Sequence, residues 1–74
     1  MVEADKAKFA EWLTKFTVIH RAPAPSHALL RAYWDDLHEM RLDEFERSSK
    51  HLVRTSKWFP KPADFWTASK AGWQ

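Results

Sequence analysis

The sequence predicts an all-α fold, and three observations carry the prediction. Apolar residues recur at the helical period of about 3.6 along most of the chain. Glycine occurs once in 74 residues, and no run of β-branched residues offers a strand. Prolines fall only at 23, 25, 60 and 62, where they separate one helical stretch from the next.

The first helix is expected over roughly 4–17, where Phe9, Trp12, Leu13 and Phe16 stand at i, i+3, i+4 and i+7 and form one apolar stripe opposite a charged face. "HRAPAPSH" then breaks the pattern, because its prolines lack backbone donors and bias the residues before them towards extended geometry. Ser26 is the natural N-cap of the next helix. That helix, roughly 27–40, turns Leu30, Tyr33, Trp34 and Leu37 inward and Asp35, Asp36 and Glu39 outward. Asp43 followed three residues later by Glu46 reads as a capping box opening a third helix over roughly 44–56, with Phe45, Ser49, Leu52 and Val53 as its inner face. Pro60 stops any continuation, and Pro62 suits the first turn of a short fourth helix over roughly 62–70, with Asp64 favourable to its dipole. The expected architecture is a compact bundle of three main helices plus that fourth, a single domain over 1–74 with "APAP" as an internal linker.

A chain this short buries only about 60% of its unfolded surface, and such domains often need staples. None is available here: cysteine is absent, and the histidines at 20, 27, 38 and 51 have no ligand-like spacing. Five Trp, five Phe and one Tyr are expected to substitute. They are densest in "TSKWFPKPADFW", residues 55–66, which reads as a rigid elbow: Trp58 and Phe59 before the bend at Pro60 and Pro62, Phe65 and Trp66 after it, clamping the fourth helix onto the bundle. A core-building turn accounts for these rings more simply than an aromatic ligand cage.

Net charge is only +2, but it is unevenly spread. Residues 1–46 carry six basic and nine acidic side chains; residues 47–74 carry Arg47, Lys50, Arg54, Lys57, Lys61 and Lys70 against Asp64 alone. At about 100° per residue, Arg47, Lys50, Arg54 and Lys57 lie within about an 80° sector nearly opposite Phe45 and Leu52, so a basic stripe extended by Lys61 is expected to face solvent.

Catalytic chemistry finds no foothold. There is no Walker sequence and no glycine-rich phosphate loop. Asp35, His38 and Glu39 share a helix face at i, i+3 and i+4, an arrangement better explained as a solvated acidic face than as a cation site. Ser26 beside His27 is better explained as a helix cap than as a nucleophile with its base. The expectation is a non-enzyme with no cofactor, no metal and no small-molecule substrate. No apolar run approaches the roughly 20 residues of a membrane span, and "MVEADKAKF" lacks a signal-peptide core. A soluble cytoplasmic protein without a membrane partner is expected, consistent with a cysteine-free chain in a reducing compartment.

The stretch "YWDDLHEMRLDEFERSSKHLVRTSKWFPKPADFW" resembles the helical domain of phage loader-and-inhibitor proteins of hexameric replicative DNA helicases. The likeness covers about half the chain and rests on Trp34 and Leu37, then on Thr55, Ser56, Lys57, Trp58, Phe59, Pro60, Pro62, Ala63 and Asp64. It implies a small helical adaptor that binds the replicative helicase in the cytoplasm of an infected bacterium, restrains it, and helps deliver it to an origin. Where family members often have a helix-capping Thr, this chain has Lys61, which weakens the cap and adds to the basic patch. The family's polar C-terminal segment, implicated in gripping the helicase, has no counterpart after Gly72, Trp73 and Gln74, leaving either a longer native chain or a contact made differently.

The basic stripe is the feature with most functional leverage. A solvated helix face is its plainest account. The resemblance favours an acidic protein surface on the helicase as its partner. The alternatives are a small DNA-binding or replisome-organising module, with the same cations on phosphates and Trp58 stacked on a base, or a phage protein antagonising another host factor.

Overall fold

The computed structural model of the chain describes residues 1–71; Gly72, Trp73 and Gln74 lie outside them. A 3-10 turn over Glu3–Asp5 runs into α1 (Lys6–Ile19), which is followed by α2 (His27–Leu37), α3 (Leu42–Thr55) and α4 (Pro62–Ala71). Among the described residues there is no strand, and the fold is the all-α bundle that the apolar period predicts.

Helix ends show how local chemistry sets these boundaries. Ser26 caps α2 as expected, its Oγ accepting from the Leu29 N–H at 3.1 Å. The end of α1 is a Schellman turn, in which the Ala22 N–H donates to the Thr17 carbonyl at 2.8 Å and the Arg21 N–H to the Val18 carbonyl at 3.3 Å. That turn puts Arg21 at φ 53°, a left-handed position usually given to glycine.

The first helix lies two residues later at each end than expected, its place at 4–5 taken by the 3-10 turn, and two further boundaries need correction. The second helix ends at Leu37 and not near 40. Its last turn tightens as the Met40 N–H reaches back only to the Leu37 carbonyl, 2.9 Å away, and Met40 drops into the core. His38 Nδ1 faces the carbonyls of Trp34 at 3.2 Å and Asp35 at 3.0 Å, and because both are acceptors this nitrogen is the one that donates, beside the His38 backbone N–H already on the Trp34 carbonyl. The Met1 ammonium adds donors to the carbonyls of His38 and Met40. The third helix starts at Leu42, so the Asp43–Glu46 capping box does not form. Arg41 is the N-cap instead, with extended backbone and its carbonyl accepting from the Phe45 N–H at 2.9 Å. Asp43 and Glu44 then lie in the first turn, where carboxylates suit the dipole.

The fourth helix opens on Pro62 as expected. Its cap needs no side chain at residue 61, because Asp64 Oδ2 accepts the Lys61 N–H at 2.8 Å from inside the first turn.

The core is a chain of rings. Phe45 stacks on Phe65 with centroids 5.2 Å apart, Phe65 meets Phe16 edge-on at 5.8 Å, and Phe9 touches both Phe45 and Trp34 at 5.2 Å. Leu13, Leu37, Met40, Leu52 and Ala68 fill the space between them. The most extensive helix pairing is α3 with α4, reinforced where Ser69 Oγ donates to Glu44 Oε2 at 3.1 Å. The least committed helix is α2. Only Leu37 of its expected inner face is buried, while Leu30, Tyr33 and Trp34 are half-buried.

Removing a fully buried aromatic costs about 3–5 kcal/mol, comparable with the whole stability of so small a core. Phe65→Ala is therefore expected to be largely unfolded at 25 °C by circular dichroism; a melt matching the parent would refute the role of the stack. Arg21→Gly is expected to raise stability by about 0.5–1 kcal/mol, since it relieves a left-handed conformation disfavoured in side-chain-bearing residues. Urea denaturation with an unchanged or lowered midpoint would show that Arg21 is not strained.

Candidate functional site

The elbow begins where α3 stops. Ser56 closes the helix in extended geometry, and its hydroxyl donates to the Trp58 carbonyl at 2.6 Å. Lys57 therefore lies past the helix, and its expected place on the helical stripe is corrected: it is exposed, but on the elbow.

The elbow rings divide by position. Trp58 and Phe59, adjacent in the bend, take opposite sides of it. Phe59 turns inward, half-buried, against Phe16 at 6.3 Å, Tyr33 at 6.1 Å and His20 at 6.3 Å. Trp58 turns outward and is 67% exposed, which corrects its expected part in the clamp. Pro60 is fully buried, and its carbonyl accepts from the Tyr33 hydroxyl at 2.8 Å. Beyond the bend, Phe65 is fully buried and Pro62 and Trp66 are half-buried. The clamp is thus built from Phe59, Pro60, Pro62, Phe65 and Trp66, with Tyr33 and His20 as partners that helical periodicity does not reveal.

On the outer side of α3, Arg47, Lys50 and Arg54 are exposed, while Phe45, Ser48, Ser49 and Leu52 are buried on the inner side. Lys61 is exposed at the mouth of α4. The ion pairs Lys6–Glu3 at 3.1 Å and Arg41–Asp43 at 3.4 Å do not draw on Lys50, Arg54, Lys57 or Lys61. Asp64, the one acid after Glu46 in the sequence, turns a carboxylate oxygen to the Lys61 backbone. Such a surface can receive carboxylates or phosphates, Arg54 in a bidentate fashion. Next to Lys57, the exposed Trp58 indole offers an apolar body with a polar edge.

The other candidate chemistries sort differently. Ser26 is occupied as a cap. Asp35, His38 and Glu39 are exposed, and among the described residues no group of three His, Cys, Asp or Glu side chains could hold a metal ion. No described helix is long and apolar enough to cross a membrane. No family model matches the chain, and neither a curated protein nor a solved structure matches it.

Tyr33 links α2 to the elbow, and its ionisation reports that link. Burial, then the nearby Asp64 carboxylate, pushes its pKa above the usual 10.0. A raised pKa favours the neutral phenol in the folded state, so the associated stability is intact below pH 10.0 and falls as pH rises through the folded-state value. Tyr33→Phe is expected to lose about 1 kcal/mol at neutral pH and to flatten this alkaline decline. An unchanged decline in denaturant midpoints above pH 10.0 would assign it to other groups.

Proposed function

We propose that this protein is a phage DNA-replication accessory factor that acts by binding, its basic face docking on an acidic surface of the host's replicative helicase and loading or inhibiting that enzyme. The observation that carries the reading is the division of α3: one side is committed to the core, and the other presents Arg47, Lys50 and Arg54 to solvent, continued by Lys57 and Lys61. Opposite charge steers such an encounter, and the exposed Trp58 supplies an anchor of the kind that dominates interface energetics. The resemblance of residues 33–66 to helicase loader-and-inhibitor domains names the partner. The expected setting is the cytoplasm of an infected bacterium, with no catalysis of its own.

A second reading has one specific observation in its favour. An exposed indole beside cations is also how single-stranded nucleic acid is held, with base on ring and phosphate on Lys or Arg. The two readings forecast different behaviour. Exposed charge changes alter stability by less than about 0.5 kcal/mol, so a protein with Arg47, Lys50 and Arg54 all replaced by Glu is expected to stay folded. It should lose helicase binding mainly through a slower on-rate and altered salt sensitivity. Helicase capture by the parent protein, absent in the triple variant, supports the proposal. Binding of bare oligonucleotides that falls log-linearly with salt, without helicase binding, would overturn it in favour of the nucleic-acid module.

A further inference from the structure

Between α1 and α2 lies an open groove of about 510 Å³, within the size range of ligand and peptide side-chain pockets. Its floor and walls are Phe9 and Ala10 from α1 and Leu30 and Trp34 from α2. Leu30 and Trp34 are one helical turn apart, and the groove is what leaves them only half-buried on a helix whose neighbour is close by. Ala10 keeps the floor low. The connection holding the two helices contains Pro23 and Pro25, which restrict its backbone, so the cleft is preformed and a guest need not open it.

Charge at the rim is unequal. Arg31 and His27 stand one and two turns before Asp35 along α2, and Lys6 reaches over the Trp34 ring at 5.3 Å. Lys6 is already paired with Glu3 at 3.1 Å, whereas the ion pairs at Glu3 and Asp43 leave Arg31 uninvolved. His27 opens α2, where the helix dipole also favours negative charge. The groove therefore offers an apolar bed with an anion-attracting end, the complement of an amphipathic segment that carries acidic residues next to aromatic or aliphatic anchors.

We infer that the α1–α2 groove is a docking site for a short acidic amphipathic peptide segment of a protein partner, its apolar side chains over Leu30 and Trp34 and its carboxylates towards Arg31. This site is separate from the basic face of α3 and does not rest on the helicase reading.

The test is titration of the isotopically labelled full chain with a capped synthetic peptide of about three helical turns, with Leu and Phe on one side and Glu one turn away. Nuclear magnetic resonance reads the Trp34 indole N–H, assigned with Trp34→Phe, and the backbone amides of Ala10 and Leu30. Saturable shifts centred on these groups are expected, with none from a peptide carrying Lys in place of Glu. Arg31→Glu, which reverses an exposed charge, and Ala10→Leu, which fills the floor without changing charge, should each weaken binding about tenfold or more; Arg54→Glu should leave it unchanged. Absence of saturable shifts at about millimolar peptide overturns the inference, as do equal shifts from the Lys peptide. Shifts confined to α3 and lost in Arg54→Glu would also overturn it while leaving the basic-face proposal standing. Dilution-dependent shifts of the Trp34 indole without peptide would assign the groove to a second copy of the chain and overturn it likewise.

Discussion

The stack of Phe45 on Phe65 is the interaction on which the rest of the structure depends. It joins the first turns of α3 and α4, two helices separated in sequence by the elbow, and both rings are fully buried. From it the ring chain runs two ways, through Phe9 to Trp34 and through Phe16 to Phe59 and Tyr33, so all four helices and the elbow are tied into one aromatic network. Each such contact contributes about 0.5–1.5 kcal/mol beyond area burial. In a chain with no cysteine, this network does the work that cross-links do in many domains of this size.

The elbow translates that core into a surface. Because Pro60 is buried and its carbonyl is held by the Tyr33 hydroxyl, the non-helical stretch after α3 has a fixed inner side. Phe59 occupies that side, which sends Trp58 outward and holds Lys57 and Lys61 in solvent. The exposure of Trp58 is thus a consequence of core packing around its neighbours. A large indole left in water by a rigid turn needs little ordering on binding, since the backbone that carries it is already constrained.

Helix existence was legible because three apolar stripes at a 3.6 period have no competing interpretation, and Pro60, Pro62 and Asp64 mark the start of the fourth helix. The caps at Ser26 and Pro62 were legible because they depend on residues adjacent in sequence. What sequence reasoning missed depends on tertiary position. The early end of α2 follows from Met40 entering the core, and the Asp43–Glu46 pattern failed because Arg41 already had extended geometry suited to a helix start. The helical projection carried Lys57 along with Arg47, Lys50 and Arg54, but a projection has meaning only as far as the helix, which stops at Thr55. The partners of the elbow, Tyr33 and His20, sit 27 and 40 residues before Pro60 and no local rule connects them to it. The α1–α2 groove was invisible for the same reason: Leu30 and Trp34 read as core residues, and only the distance between two helices leaves them partly open.

Size explains why a protein this small can carry two usable surfaces. Its extents are 34 × 29 × 16 Å, and a shortest dimension of 16 Å accommodates only about two layers of helices packed 8–10 Å apart. In so thin a body every helix keeps one side in solvent, so the surfaces available for recognition are set by which residues the core does not need. On α3 the core needs Phe45, Ser48, Ser49 and Leu52, leaving the cations outside. On α2 only Leu37 is fully buried, and the half-buried Leu30 and Trp34 are left to form one wall of a groove. The charge asymmetry along the chain then gives the two surfaces different characters: a predominantly cationic face with an indole at its end, and an apolar cleft with mixed charges at its rim. In the roles proposed for them, both take acidic partners, the first selecting by field and the second by fit.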